Sequence, residues 1–98
     1  MRANQLPQAV AARLAAEPEW ALRVDAAEAL ARAPGRGVGA SELVEASDPS
    51  HDVNTRIAAL RALHAVSPEA ARPVLERTKT DPEPYVRSTA LELLGGTR

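Results

Sequence analysis

The side chains best suited to catalysis or metal binding in this sequence are two histidines, His51 and His64. On one helix, 64 − 51 = 13 residues of separation would place them roughly 20 Å apart, which is too far to share a metal ion. The sequence contains no HExxH pattern, no cysteine–histidine set and no carboxylate pair with a plausible base. Ser50 and Ser67 lie near the histidines along the chain and are interpreted as helix caps. We therefore predict no catalytic residues, no metal site and no cofactor.

Charge and composition narrow the classes of partner. The net charge of −1 argues against a surface that binds phosphate backbones, and the arginines and lysine are spread over several elements. The absence of cysteine excludes disulfides, and we expect a soluble, cytoplasmic protein because no leader or bilayer-spanning segment is recognisable. The glycine-rich segment at 34–39 lacks the lysine–serine or lysine–threonine pair of a phosphate-binding loop and is interpreted as a connection between repeats.

Three arginines begin copies of one pattern, Arg-x-x-Ala-[Ala/Leu]-x-x-Leu, at Arg23, Arg56 and Arg87. The steps between them are 56 − 23 = 33 and 87 − 56 = 31 residues. An acid–proline pair precedes each copy, at Glu17-Pro18, Asp48-Pro49 and Asp81-Pro82. A fixed period of this length is typical of a helical repeat array.

The apolar spacing around these copies predicts three helical hairpins and no strand. The first helices are expected at 6–16, 41–47 and 68–79, and the second helices at 19–33, 52–66 and 84–95. Ser41 and the Ser67-Pro68 pair are expected to cap helix starts, and Gly95-Gly96 to end the last helix. The whole chain, 1–98, is therefore expected to form one domain with repeats at about 6–33, 41–66 and 67–96.

The third copy carries a family resemblance in three features: the Asp81-Pro82 turn, Val86-Arg87 at the start of the second helix, and Ala90 to Leu94-Gly95 at its end. These features resemble HEAT repeats, particularly the short bacterial type also found in phycocyanobilin lyases. The resemblance covers about 6–96 and implies an all-α, right-handed α-solenoid that binds other proteins. It also implies a structural ladder of ion pairs between arginines and acids, formed by Arg23, Arg56, Arg87, Glu17, Asp48 and Asp81.

Two further sets of residues are candidate binding surfaces. Trp20, His51 and Tyr85 follow the acid–proline turns and could form a row along one rim, although each ring could equally be buried locally. Glu28, Arg61 and Glu92 occupy equivalent positions and predict an acid–base–acid series on an exposed face. Such a series would either set the alignment of the repeats or form the charged floor of a peptide groove.

The last helix carries a wider apolar arc than one packing face requires. From this arc we predict self-association, with a two-fold homodimer as the commonest solution, through Val86, Leu91, Leu93 and Leu94. Taken together, the sequence predicts a non-catalytic module that binds another protein or a peptide. The alternative is an accessory subunit or small-ligand-binding component of an enzyme, and nucleic-acid binding is ranked last.

Overall fold

The computed structural model describes residues 6–32 and 39–95, and over these residues it is all-helical, without a strand. The six helices are α1 (Leu6–Ala16), α2 (Trp20–Arg32), α3 (Ala40–Ala46), α4 (Val53–Val66), α5 (Pro68–Thr78) and α6 (Pro84–Gly95). The predicted α-solenoid of three hairpins is confirmed. The expected connection at 34–38 and the helix stop at Gly96 lie outside the described residues.

The hairpins stack in two layers. In the first layer α3 packs against both α1 and α5, and in the second layer α4 packs against both α2 and α6. The two helices of each hairpin also pack against each other, so the central helix α4 contacts α2, α3, α5 and α6. Each helix in such a stack contacts mainly its own hairpin and the neighbouring ones. None of the described helices combines the length and apolarity that crossing a membrane requires.

Leucines and alanines form the core between and within the layers. The fully buried leucines come from every part of the stack and include Leu30, Leu43, Leu60, Leu63 and Leu75. Buried alanines such as Ala27, Ala59 and Ala90 lie beside them in the second layer. Small side chains at these positions let neighbouring helices approach closely, which explains how a chain without phenylalanine packs its interior.

Side chains cap the starts of α4 and α5, the latter as predicted, but not the start of α3. The Asp52 carboxylate accepts from Thr55 N–H at 2.9 Å, and Ser67 Oγ accepts from Ala70 N–H at 3.3 Å. The prediction that Ser41 caps α3 is wrong, because α3 already begins at Ala40 after Gly39 and Ser41 Oγ donates to Glu42 instead.

Gly39 is required at the start of α3 for two reasons. Its φ of 86° lies in the left-handed region, where other residues are strained. A Cβ at this position would also lie 2.9 Å from Cδ1 of Leu30. The close approach of the backbone to Leu30 thus fixes where α3 begins.

Candidate binding surface

The most deeply buried ion pair of the described residues joins the second and third hairpins. Arg56 Nη2 donates to Asp81 Oδ2 at 2.6 Å and Nη1 donates to Oδ1 at 3.3 Å, with only 5% and 9% of the two side chains exposed. Arg56 Nε also donates to the Ser47 carbonyl at 2.9 Å. The hydrogen bond from Arg56 holds the pKa of Asp81 below its ordinary value. The guanidinium is therefore satisfied on two sides in a dry environment.

A similar contact joins the first and second hairpins. Arg23 Nη2 donates to Asp52 Oδ1 at 3.0 Å, and Nη1 donates to the carbonyls of Glu17 and Pro18 at 2.9 and 3.0 Å. Burial raises the pKa of Asp52, but hydrogen bonds from Thr55 and Arg23 outweigh it and leave the pKa below the ordinary value. Asp52 thus caps its own helix and receives the arginine of the preceding hairpin.

Arg87 repeats only half of this arrangement. Its Nη1 donates to the Asp81 carbonyl at 2.9 Å, and among the described residues no carboxylate pairs with it. Each arginine therefore holds a main-chain carbonyl before its own helix, while Arg23 and Arg56 also reach a carboxylate of the following hairpin. We call these three residues and their acceptors the arginine ladder.

Two of the acids predicted for the arginine ladder play other roles. Glu17 contributes its main-chain carbonyl to Arg23 rather than its carboxylate. The Asp48 carboxylate accepts from Ser50 N–H at 3.0 Å, which lowers the pKa of Asp48. The turn before α4 explains the exchange: Arg56 follows Asp48 by 56 − 48 = 8 residues, whereas Arg87 follows Asp81 by 87 − 81 = 6. The longer turn leaves Asp52, next to the helix, as the acid that faces Arg23.

In the predicted acid–base–acid series, Arg61 forms an ion pair with Glu92 but not with Glu28. Arg61 Nη2 and Nη1 donate to the two Glu92 carboxylate oxygens at 3.1 and 3.3 Å, with 49% and 61% of the side chains exposed. The hydrogen bond from Arg61 lowers the pKa of Glu92. Glu28 is exposed and has no ion-pair partner within the described part of the chain. This face is consequently a solvated one.

The three residues of the predicted rim stand in different environments. Trp20 and Tyr85 are exposed at the starts of α2 and α6. His51 is partly buried in the turn before α4, and its Nε2 lies 3.1 Å from Glu45 Oε1 on α3. His51 also lines a groove of about 440 Å³ between α1 and α3 that neither aromatic residue lines. The difference is one of alignment, since Trp20, His51 and Tyr85 precede their arginines by three, five and two residues respectively.

The predicted self-association residues of α6 divide between the core and the surface. Val86 is completely buried, so it belongs to the core and its assignment to an external interface is wrong. Val86 lies one residue before Arg87, on the side of α6 that faces α4. Leu93 and Leu94 are partly buried against the core. Leu91 is 52% exposed and is the one large aliphatic side chain of α6 that is exposed in the described residues.

Sequence reasoning missed a second apolar surface on α2. Leu22 is 41% exposed and borders a groove of about 260 Å³ between α1 and α2. The groove is also lined by Val10, Arg13, Asp25, Ala26 and Ala29. A comparison of equivalent positions could have found this surface, because Leu22 precedes Arg23 as Thr55 precedes Arg56 and Val86 precedes Arg87. Thr55 and Val86 are both buried, whereas Leu22 is not.

The described residues contain no group of three histidine, aspartate or glutamate side chains that could hold a metal ion. Stacked hairpins joined by the arginine ladder instead define an α-helical repeat protein. A family model described as HEAT repeats matches residues 7–95, and the chain belongs to this family. HEAT repeats generally mediate protein–protein interaction. No curated protein and no solved structure matches the chain.

Proposed function

We propose that this protein is a non-catalytic interaction module that binds other proteins through the two ends of its second helix layer. One observation carries the proposal. The large exposed hydrophobic side chains of the described residues are Trp20 and Leu22 on α2, and Tyr85 and Leu91 on α6. The central helix α4 has none. These residues lie on the first and last helices of the layer, and exposed aromatic and aliphatic side chains are frequent anchors of protein interfaces.

The chemistry of these residues supports a protein partner. Tryptophan and tyrosine supply a large apolar area together with one polar group, and they are the residues most often found at the energetic centre of interfaces. Leu22 and Leu91 are exposed on the same two helices, so α2 and α6 each carry an exposed aromatic and an exposed aliphatic side chain. We call the exposed sides of α2 and α6, with these anchors, the end surfaces.

Self-association through α6 remains part of the proposal in a narrower form. Leu91 is its centre, with Leu93 and Leu94 at its border, and Val86 is excluded because it is buried. We also assign the repeats to the short bacterial type found in phycocyanobilin lyases, on the features of the third copy given above. This subtype assignment concerns the repeat sequence and carries no lyase activity.

Affinity capture with matched variants tests the proposed function. The immobilised wild-type chain is expected to retain a protein partner from the extract of its source cells, including an untagged copy of itself. The Leu22→Ser/Leu91→Ser variant should bind that partner more weakly, because each end surface loses its exposed aliphatic side chain. The Arg61→Ala/Glu92→Ala variant is the control, since it changes an equally exposed but solvated face.

The retained protein is then purified and its affinity for each variant is measured by titration calorimetry, with circular dichroism confirming that the variants are folded. Equal affinity for the wild type and for Leu22→Ser/Leu91→Ser would show that the end surfaces are not the binding site. If no protein is retained by the wild type, the interaction function itself is contradicted.

A further inference from the structure

We propose that a partner of this module is a second copy of the same chain, stacked head to tail so that α6 of one copy packs against α2 of the next. This inference rests on the proposed protein-binding function and specifies one partner. Two independent features of the described residues carry it. The apolar faces of α2 and α6 match, and so do the unpaired charges at the two ends of the arginine ladder.

The first feature is the side of each second-layer helix that faces the following helix. Four residues after each arginine lie Ala27 on α2, Leu60 on α4 and Leu91 on α6. Ala27 and Leu60 are completely buried, because α4 covers α2 and α6 covers α4. Leu91 has the same place on α6 but is 52% exposed. The following side of α6 is therefore an uncovered packing face of the same kind as those inside the stack.

The opposite side of each second-layer helix faces the preceding helix of that layer, and on α2 this side is uncovered. Thr55 and Ala58 on α4 and their counterparts Val86 and Thr89 on α6 are all buried. On α2 the position of Thr55 and Val86 is taken by Leu22, which is exposed beside the groove between α1 and α2. The stack therefore has two uncovered faces, the following side of α6 and the preceding side of α2. These are the two sides that pack against each other inside the stack, so α6 of one copy can pack against α2 of another.

The charges at the two ends complete the same pattern. Arg87 forms no ion pair among the described residues, whereas Arg23 and Arg56 each bind an acid of the following hairpin. The hydrogen bond from Arg56 is the main cause that lowers the pKa of Asp81, and the charge of Arg87 adds to it. At the other end, Glu17 precedes Arg23 by six residues, as Asp81 precedes Arg87, and Glu19 precedes it by four, as Asp52 precedes Arg56. Neither glutamate forms an ion pair within the described part of the chain.

A second copy is favoured over an unrelated protein because the chain carries both sides of the contact. The residues on each side have the same positions relative to the repeated arginines as in the internal contacts. Stacking would place Leu91 of one copy beside Leu22 of the next, and Arg87 beside Glu17 and Glu19. The main departure from the internal contacts is Asp25, which stands where Ala58 and Thr89 stand on α4 and α6. Arg13 lines the same groove as Asp25, although the two form no ion pair among the described residues. Such a head-to-tail contact builds an open stack or a ring rather than a two-fold dimer.

The test uses two variants that each disable one end. Leu91→Glu leaves only the α2 face able to bind, and Leu22→Glu leaves only the α6 face. Both side chains are about half exposed, so both variants should fold, and circular dichroism checks this. Light scattering over a micromolar-to-millimolar series should show a rising mass for the wild type, a monomer for each variant alone, and a 1:1 dimer for the mixture.

A variant of the acidic end tests the charged part of the contact. Glu17→Gln/Glu19→Gln should weaken association about tenfold, since hydrogen bonds to charged groups are stronger than neutral ones. Glu28→Gln, which changes an exposed glutamate on α2, should leave association unchanged.

Two outcomes would overturn the inference. If Leu22→Glu still associates alone while the mixture gives no 1:1 dimer, the contact is a two-fold one through α6. If the wild type is monomeric at every concentration, no second copy binds. The second outcome leaves the proposed function standing whenever a different captured protein still binds the end surfaces, so the two failures are distinguishable.

Discussion

Loss of the Asp81 carboxylate should be one of the most damaging single changes in this protein. In Asp81→Ala the buried Arg56 guanidinium loses two hydrogen bonds, and Glu83 N–H loses the acceptor that it finds at 2.9 Å. Removing one partner of a buried ion pair leaves an uncompensated charge and costs about 3–5 kcal/mol. A domain of this size has a total stability of only about 5–15 kcal/mol, so the loss is a large part of it.

Urea unfolding followed by circular dichroism measures this loss. With a denaturant slope of about 1–3 kcal/mol per molar, the midpoint should fall by at least about 1 M. Glu92→Ala is the matched control, because Glu92 also accepts two hydrogen bonds from an arginine but is exposed to solvent. It should change the midpoint little, since exposed ion pairs contribute little to stability.

Replacement of both buried partners separates the charge effect from the packing effect. Arg56→Met/Asp81→Leu should recover most of the loss seen in Asp81→Ala, because no unpaired charge remains in the interior. The Ser47 carbonyl loses its donor in this variant, so recovery should be incomplete. Equal midpoints for Asp81→Ala and Glu92→Ala, or a double variant no better than Asp81→Ala, would refute the reasoning from burial.

Three further predictions concern stability. Leu60→Ala should cost about 2–5 kcal/mol by urea unfolding because Leu60 is completely buried in the central helix, whereas Leu91→Ala, at an exposed position, should cost far less; similar losses would contradict the assigned alignment. Because the pKa of Asp81 is lower in the folded chain than its ordinary 3.8, its contribution should be present above about pH 3.8 and be lost as the pH falls through the folded-state value. Unfolding at several pH values should show a shallower loss in Asp81→Asn, and an unchanged slope would exclude this source. Gly39→Ala should lower the melting temperature in calorimetry, because φ is positive and a Cβ would crowd Leu30; an unchanged value would show that this turn can rearrange.

The helical framework could be predicted because its signals are local. The arginine pattern and the apolar spacing predicted where each second-layer helix lies in the sequence. For example, α4 begins within one residue of its predicted start. Ser67 followed by Pro68 marks the start of α5 because the cap and the proline act within one turn of helix. Signals of this kind require no knowledge of what lies across the stack.

The acids of the arginine ladder could not be assigned from sequence because several carboxylates compete within each turn. Asp48 and Asp52 are both close enough to serve, and the longer turn before α4 decides in favour of Asp52. The capping of α3 by Gly39 rather than by Ser41 likewise involves a close approach of the backbone to Leu30, which is distant in sequence. These choices are made by contacts between segments that are distant in sequence.

Only the α6 end surface could be predicted from the sequence, for a related reason. The apolar arc of α6 was apparent, but its separation into the buried Val86 and the exposed Leu91 depends on which neighbours cover it. Leu22 resembles an ordinary core leucine of a helix and is exposed only because no second-layer helix precedes α2 among the described residues. Comparing equivalent positions across the three copies is what distinguishes a covered face from an open one.

Methyl NMR of leucine-labelled protein tests most directly whether the end surfaces bind protein. The spectrum is followed while the concentration of the chain, or of a captured partner, is raised. We predict that the methyl signals of Leu22 and Leu91 shift or broaden, while those of the buried Leu60 and Leu63 stay in place. Changes confined to Leu14, in the groove beside His51, or no change at Leu22 and Leu91 when a partner binds, would contradict the account.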